Sequence, residues 1–189
     1  MNVRLSIFAF VLSCGTGSQL AHANGFSGFY APSNWTLTTN GGDGSVFLGD
    51  SPSAIRLTGN DAGGANISTD YTTFAVVSGS VSFTWDYATS DGPYYDRFGY
   101  LGGGIFTELT SRDGGEPQSG TATFNVNSGD IFGFRILSTD GCCGAGNSTI
   151  SNFSAPATPV PGPLPALGLL AAFGFSRRLR ARIRATRSI

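Results

Sequence analysis

Apolar and polar side chains alternate along several short segments of this chain, most clearly between Ser80 and Tyr87. There Val81, Phe83 and Trp85 alternate with serine, threonine and aspartate. A period of two is typical of a β-strand with one face in the core. Similar short runs predict further strands at 53–58, 72–77, 97–101, 121–126, 131–137 and 149–153.

Turns rich in glycine, asparagine and aspartate separate these runs, at 41–44, 90–93, 112–115 and 127–130. The body of the chain contains no convincing helical periodicity. Many short strands at this spacing predict an all-β fold, namely an antiparallel, jelly-roll-like β-sandwich.

Charge is distributed unevenly along the chain. All 12 acids lie between Asp43 and Asp140, where the basic residues are four arginines, so this stretch carries a net charge of −8. The chain has no lysine, and six arginines without an acid lie between Arg177 and Arg187. An acidic body argues against nucleic-acid binding, which requires clustered cations on the folded domain.

The N-terminus has the features of a secretory signal peptide. Arg4 is followed by an apolar run at 5–12, and Ala21-His22-Ala23 places small residues at a cleavage point before Asn24. We therefore expect a signal peptide at 1–23, cleavage between Ala23 and Asn24, and a sandwich domain at 24–157. An alternative is a lipoprotein signal with Cys14 as the lipidated residue.

The C-terminus combines a proline-rich lead, an apolar run at 164–175 and arginines. Twelve apolar positions are fewer than the roughly 20 that a membrane-spanning helix needs. The arginines directly behind them favour a cytoplasmic end under the positive-inside rule. This order predicts a short transmembrane helix, with an ordinary tail anchor or an amphipathic helix as alternatives.

These last residues resemble the PEP-CTERM sorting signal that exosortase recognises in Gram-negative bacteria. The motif is Val160-Pro161-Gly162-Pro163, with Gly162 where glutamate is commonest. The resemblance implies a sorting domain at 158–189, transient membrane anchoring, cleavage, and release to the cell surface or an exopolysaccharide matrix. The arginines that would hold the tail at the membrane are Arg177, Arg178, Arg180, Arg182 and Arg184.

The body is similar to the β-sandwich modules that precede such tags in other exported proteins. The similarity lies in the segments 83–87, 96–100, 129–134 and 150–153. Carbohydrate-binding sandwiches are an analogy at the level of the fold, and a fold does not establish a ligand.

The predicted mature chain lacks residues that several common catalytic and metal sites need. The chain's one histidine, His22, lies in the predicted signal peptide, which excludes a Ser-His-Asp triad and histidine metal sites from the mature protein. Gly102-Gly103-Gly104 lacks the lysine of a phosphate loop. A carboxylate pair for glycoside hydrolysis could be drawn from Asp86, Asp91, Asp96, Glu108 and Glu116.

Two segments are candidate sites. The loop at 90–96 joins Asp91 and Asp96 to Tyr94 and Tyr95, which could stack on a sugar or, with carbonyl oxygens, hold calcium. Turn chemistry alone also explains it. In an oxidising compartment, Cys142 and Cys143 could bond to each other or between chains, or stay free in a loop.

The sequence therefore predicts a non-enzymatic surface or matrix protein, sorted by exosortase and the export machinery, without a required cofactor. A glycan- or calcium-binding module, with exopolysaccharide as a partner, is the first alternative. A hydrolase is the second.

Overall fold

A computed structural model describes residues 21–158 of this chain. They form eleven strands and two 3-10 helices, Gly28–Tyr30 and Pro32–Asn34. The strands are β1 (Ala21–Asn24), β2 (Thr36–Thr38), β3 (Ser45–Phe47), β4 (Ala54–Thr58), β5 (Ile67–Phe74), β6 (Gly79–Ala88), β7 (Asp96–Gly102), β8 (Ile105–Glu108), β9 (Gln118–Val126), β10 (Ile131–Ser138) and β11 (Asn147–Ala157).

The strands assemble into two antiparallel sheets. The first sheet has the order β3-β4-β11-β6-β9, with β1 alongside β11, and the second has the order β2-β5-β10-β7-β8. Apart from β3 to β4 and β7 to β8, consecutive strands lie in different sheets, the alternation of a jelly-roll-like sandwich. The described residues confirm the predicted all-β fold with two antiparallel sheets.

The core between the sheets is aromatic. Phe83 and Trp85 point inward from β6 as the alternation predicts, with at most 5% of their surface exposed. Trp35 lies between Tyr71 and Phe134, stacked at centroid distances of 4.9 and 5.5 Å. Rings of this size each bury roughly 150–250 Å² and dominate the energetics of such a core.

The structure differs from the predicted strands at their ends. β5 starts at Ile67 rather than at residue 72, because Ser68, Thr69 and Asp70 are buried polar residues in the strand. It ends at Phe74 rather than at residue 77, because Ala75 instead exchanges hydrogen bonds with the turn residues Gly129 and Asp130. β9 and β11 also extend beyond the predicted segments. Four strands of three or four residues, β1, β2, β3 and β8, have no predicted counterpart.

One end of the sandwich, here named the loop end, gathers five loops, at 39–44, 59–66, 89–95, 109–117 and 139–146. The strand register places them together, since Asn147 pairs with both Thr58 and Ala88, and Ser138 pairs with both Ile67 and Asp96. Seven of the twelve acids lie at this end: Asp43, Asp61, Asp91, Asp96, Asp113, Glu116 and Asp140.

Both ends of the described chain lie at the opposite end of the sandwich, because β1 pairs antiparallel with the end of β11. The predicted cleavage bond between Ala23 and Asn24 lies within β1. Within residues 21–158, no helix is long and apolar enough to cross a membrane. The sorting motif, its apolar run and the arginine tail fall outside the described residues.

Candidate functional site

Hydrogen bonds tie the loops of the loop end to one another. Ser90 donates its hydroxyl to the carbonyl of Cys143 at 3.2 Å, and the amide of Gly144 donates to Asp61 Oδ1 at 3.1 Å. The amide of Gly63 donates to the carbonyl of Gly141 at 2.7 Å. Three loops from both sheets therefore form one continuous surface with little freedom to move separately.

Tyr94 and Tyr95 project from this surface. They are 54% and 41% exposed, and their rings meet edge to face with centroids 5.2 Å apart. Of the six tyrosines in the chain, the other four are buried or half-buried. The turn before them uses Gly92 at φ 113°, a conformation that suits glycine, and its carbonyl accepts the amide of Tyr95 at 3.0 Å.

Asp96, the last residue of the predicted ligand loop, directly follows Tyr95 and is 3% exposed. Its Oδ1 accepts the Ser138 hydroxyl at 2.7 Å, and its Oδ2 accepts the Thr89 hydroxyl at 2.9 Å. The Tyr87 hydroxyl donates to its backbone carbonyl. Burial raises the pKa of Asp96, although both hydrogen bonds lower it. Asp96 thus fixes the start of β7 and anchors the backbone that directly follows the tyrosine pair.

Asp91 lies closer to the surface. Its Oδ2 is buried without a hydrogen-bond partner. Desolvation, and then the charges of Asp140 and Asp61, raise the pKa of its carboxyl. These carboxylates make the surroundings of Tyr94 and Tyr95 acidic and supply hydrogen-bond acceptors there.

Cys142 and Cys143 are joined by a disulfide between adjacent residues. Both are exposed, and Cys143 has a φ of 71°. The following glycine, Gly144, packs so closely that a Cβ there would lie 1.9 Å from Ser90 Oγ. The turn that contains the disulfide therefore packs directly against the loop at 89–95.

Of the acids considered for glycoside hydrolysis, Asp91, Asp96 and Glu116 lie together around Thr89, whereas Asp86 and Glu108 lie elsewhere. Asp86 is exposed on the outer face of the first sheet, whereas Asp96 is buried. Glu108 binds Arg112, and Glu116 accepts the amide of Thr89 at 2.7 Å. Within residues 21–158, no group of three or more histidine, cysteine, aspartate or glutamate side chains is arranged to hold a metal ion.

A second feature, on the outer face of the second sheet, has no counterpart in the sequence analysis. Asp70, Arg135, Gly99 and Glu108 form one register row across four strands. Arg135 binds Asp70 through two hydrogen bonds of 2.6 Å, and its guanidinium lies 5.6 Å from the ring centroid of Phe106. A sequence signal would have required knowing the register of strands 65 residues apart.

Comparison with known proteins finds no matching family model and no matching curated protein. Solved structures do match. The K2 cleaved adhesin domain of Lys-gingipain is 15% identical over 72% of this chain and 100% of that chain, with a TM-score of 0.42.

Carbohydrate-binding modules are also among the matches. A point mutant of a family 29 module is 13% identical over 75% of this chain and 100% of that chain, with a TM-score of 0.40. The module CBM6cm-2 of Cellvibrio mixtus lichenase 5A, solved with cellotriose, is 13% identical over 73% of this chain and 98% of that chain, with a TM-score of 0.35. These matches describe a resemblance in fold.

Proposed function

We propose that this chain is an exported, non-enzymatic module that binds a polysaccharide at its loop end and carries a C-terminal sorting signal. The observation that carries the binding proposal is the exposed pair Tyr94 and Tyr95. Two adjacent tyrosines in water contribute little to folding, because burial is what makes aromatic rings stabilising. Their exposure therefore calls for a partner.

The chemistry of the pair suits a sugar. A tyrosine ring offers a flat apolar face to the C–H groups of a pyranose, while its hydroxyl remains available for hydrogen bonding. Acceptors for sugar hydroxyls lie close by, since Thr139 donates to the carbonyl of Tyr95 at 2.7 Å and is followed directly by Asp140. The rings lie on an open surface, which fits an extended polymer better than a small molecule in a cavity.

The rigid base under the rings supports the same proposal. Tyr87, Thr89 and Ser138 all donate to Asp96, which directly follows Tyr95. A preorganised aromatic surface loses little conformational entropy on binding, so a modest contact area can give measurable affinity.

The binding experiment is retention of the purified domain on insoluble polysaccharides of neutral, acidic and amino-sugar composition. Tyr94→Ala and Tyr95→Ala should each weaken retention about tenfold, which corresponds to about 1.4 kcal/mol per ring. Phe29→Ala is the matched control, because Phe29 is also an aromatic residue, 48% exposed, outside the loop end. Equal retention of wild type and the double tyrosine variant on every polysaccharide would refute the proposal.

The sorting proposal rests on the sequence of the tail. Replacing Pro161 and Pro163 with alanine should trap a full-length, membrane-bound precursor, because the sorting enzyme would read this motif. Replacing the five arginines of 177–184 with serine should release an uncut chain, because these charges resist translocation. Mass spectrometry of the C-terminal peptide distinguishes the two. Cell-surface protein with residues 164–189 intact would identify a plain anchor instead.

A further inference from the structure

A small pocket lies on the outer face of the second sheet, away from the loop end. Its volume is about 230 Å³. Two cross-strand pairs form its sides: Phe74 pairs with Ile131, and Thr36 pairs with Thr72. The lining residues are Asn34, Thr36, Thr72, Thr73, Phe74 and Ile131. We name it the Phe74 pocket.

The Phe74 pocket places an apolar wall beside a hydroxyl wall. Phe74 and Thr72 are two residues apart on β5, so their side chains lie on the same face of the sheet. Phe74 is 62% exposed and Ile131 is 46% exposed. Such a pair of large, exposed apolar side chains on one sheet face indicates a surface that something covers.

The outer face of the first sheet provides the contrast. The outward residues on β6 and on its neighbour β9 are mostly small and polar, such as Ser82 and Thr84 on β6 and Thr121 and Thr123 on β9. The solvated face of β6 and β9 therefore carries small polar side chains, whereas Phe47 on the edge strand β3 lies against Arg56. The apolar pair on the second sheet departs from that pattern.

The lining of the Phe74 pocket carries no charge. The nearest charged pair along β5 and β10, Asp70 and Arg135, is bound to itself by two hydrogen bonds. The volume is below the roughly 300–1,000 Å³ of pockets for drug-sized ligands, which limits the occupant to about one ring.

We propose that the Phe74 pocket is a second subsite, which binds one neutral sugar unit with its C–H face on Phe74 and its hydroxyls toward Thr36 and Thr72. This inference rests on the proposed polysaccharide binding and names the sugar class at a separate place. β5 separates the pocket from the loop end by seven residues, or about 23 Å at 3.3 Å per residue. A long glycan could engage both sites and gain avidity.

The test is an NMR titration that observes the methyl groups of Ile131 and Thr36. The probes are the neutral trisaccharides cellotriose, xylotriose and maltotriose, with trigalacturonate as the charged counterpart. We expect at least one neutral probe, but not trigalacturonate, to give saturable shifts at these methyl groups. The shifts should persist in the Tyr94→Ala/Tyr95→Ala variant, because that variant lacks only the loop-end site.

In Phe74→Ala, the probe concentration that half-saturates the Ile131 shift should rise at least tenfold. The variant should stay folded, because the Phe74 side chain is exposed. Phe47→Ala is the matched control, since Phe47 is 48% exposed on an edge strand of the first sheet. Unchanged titration of Phe74→Ala overturns this inference, and tyrosine-dependent polysaccharide retention would then leave the proposed function standing. No saturable shift at the methyl groups of Ile131 and Thr36, together with no retention on any polysaccharide, overturns both.

Discussion

The backbone of Ala21 pairs with the backbone of Ala157, so the described chain begins and ends side by side. This pairing lies at the end of the sandwich opposite Tyr94 and Tyr95. A chain tethered through either terminus would leave its tyrosine pair free for a partner. The predicted cleavage before Asn24 would remove three of the four residues of β1 and most of this pairing.

We therefore predict a measurable cost of cleavage before Asn24. Residues 24–158 should unfold in urea with about 1–2 kcal/mol less stability than residues 21–158, because a few strand hydrogen bonds are lost at about 0.5–1.5 kcal/mol each. Folding should survive, since Phe26 and Tyr30 remain buried and the Tyr30 hydroxyl still donates to the Pro156 carbonyl at 2.7 Å.

His22→Ala in the longer chain is the control, because His22 is exposed. Identical urea midpoints for residues 24–158 and residues 21–158 would contradict the prediction. Protein from the native host should have Asn24 as its N-terminal residue, and a retained Met1 or a lipid on Cys14 would contradict the cleavage site.

The buried carboxyl of Asp96 predicts a pH dependence. Its pKa is raised above the ordinary 3.8, mainly by burial, with smaller raising effects from Asp91 and Asp140. The folded state therefore holds this proton more tightly than the unfolded state. The contribution to stability is full below pH 3.8 and is lost as the pH rises through the raised pKa.

Asp96→Asn should flatten this part of the stability–pH curve while keeping most of the contacts with Thr89 and Ser138. Asp96→Ala should lose about 1–3 kcal/mol, because both hydroxyls lose their acceptor. Urea midpoints between about pH 3 and 7 measure both effects. Asp86→Asn is the control, since Asp86 is exposed on the outer face of the first sheet. An Asp96→Asn curve parallel to wild type would show that another group is responsible.

A charge placed at residue 85 should destabilise the core, because Trp85 is buried. Trp85→Asp should abolish the cooperative melt and the β-type circular dichroism of residues 24–157, because it places a charge among buried rings and costs more than about 3 kcal/mol. Trp85 is 5% exposed and lies 5.7 Å from Phe98 between ring centroids. Asp86→Asn, on the exposed side of the same strand, should change stability by less than about 0.5 kcal/mol. A cooperative melt in Trp85→Asp would contradict the core assignment.

The disulfide between Cys142 and Cys143 should contribute little to global stability. It closes no chain segment between the two residues, and the stabilisation by a disulfide grows with the length of the closed loop. The double serine variant should unfold within about 0.5 kcal/mol of wild type. The intact mass of residues 24–158, measured after alkylation without reductant, should correspond to one chain with no adduct. A doubled mass would identify an intermolecular bridge, and two adducts would identify free thiols.

Sequence alone predicted the parts of the fold that follow from alternation. β6 and β10 extend only one or two residues beyond their predicted segments, because every second residue is large and buried. The predicted turns at 41–44, 90–93, 112–115 and 127–130 all lie between strands. β2 and β3 were beyond sequence reasoning because three residues cannot establish a period of two.

The candidate site was predictable in part. The sequence singled out Tyr94 and Tyr95, and the structure places both on the surface. Sequence could not separate Asp91 from Asp96, because only the fold shows that Asp96 is buried against Ser138 from a distant strand. The Phe74 pocket depends on the register between β5 and β10, which no local pattern encodes.

The aromatic core also decides which assay can detect a ligand. Both tryptophans of the chain, Trp35 and Trp85, are buried, and Trp35 donates its indole N–H to the Tyr30 carbonyl at 3.0 Å. Their fluorescence should shift to longer wavelength when the domain unfolds and water reaches the rings. It should stay constant when a sugar covers Tyr94, Tyr95 or Phe74. A flat tryptophan titration would therefore report an intact fold and would say nothing about binding.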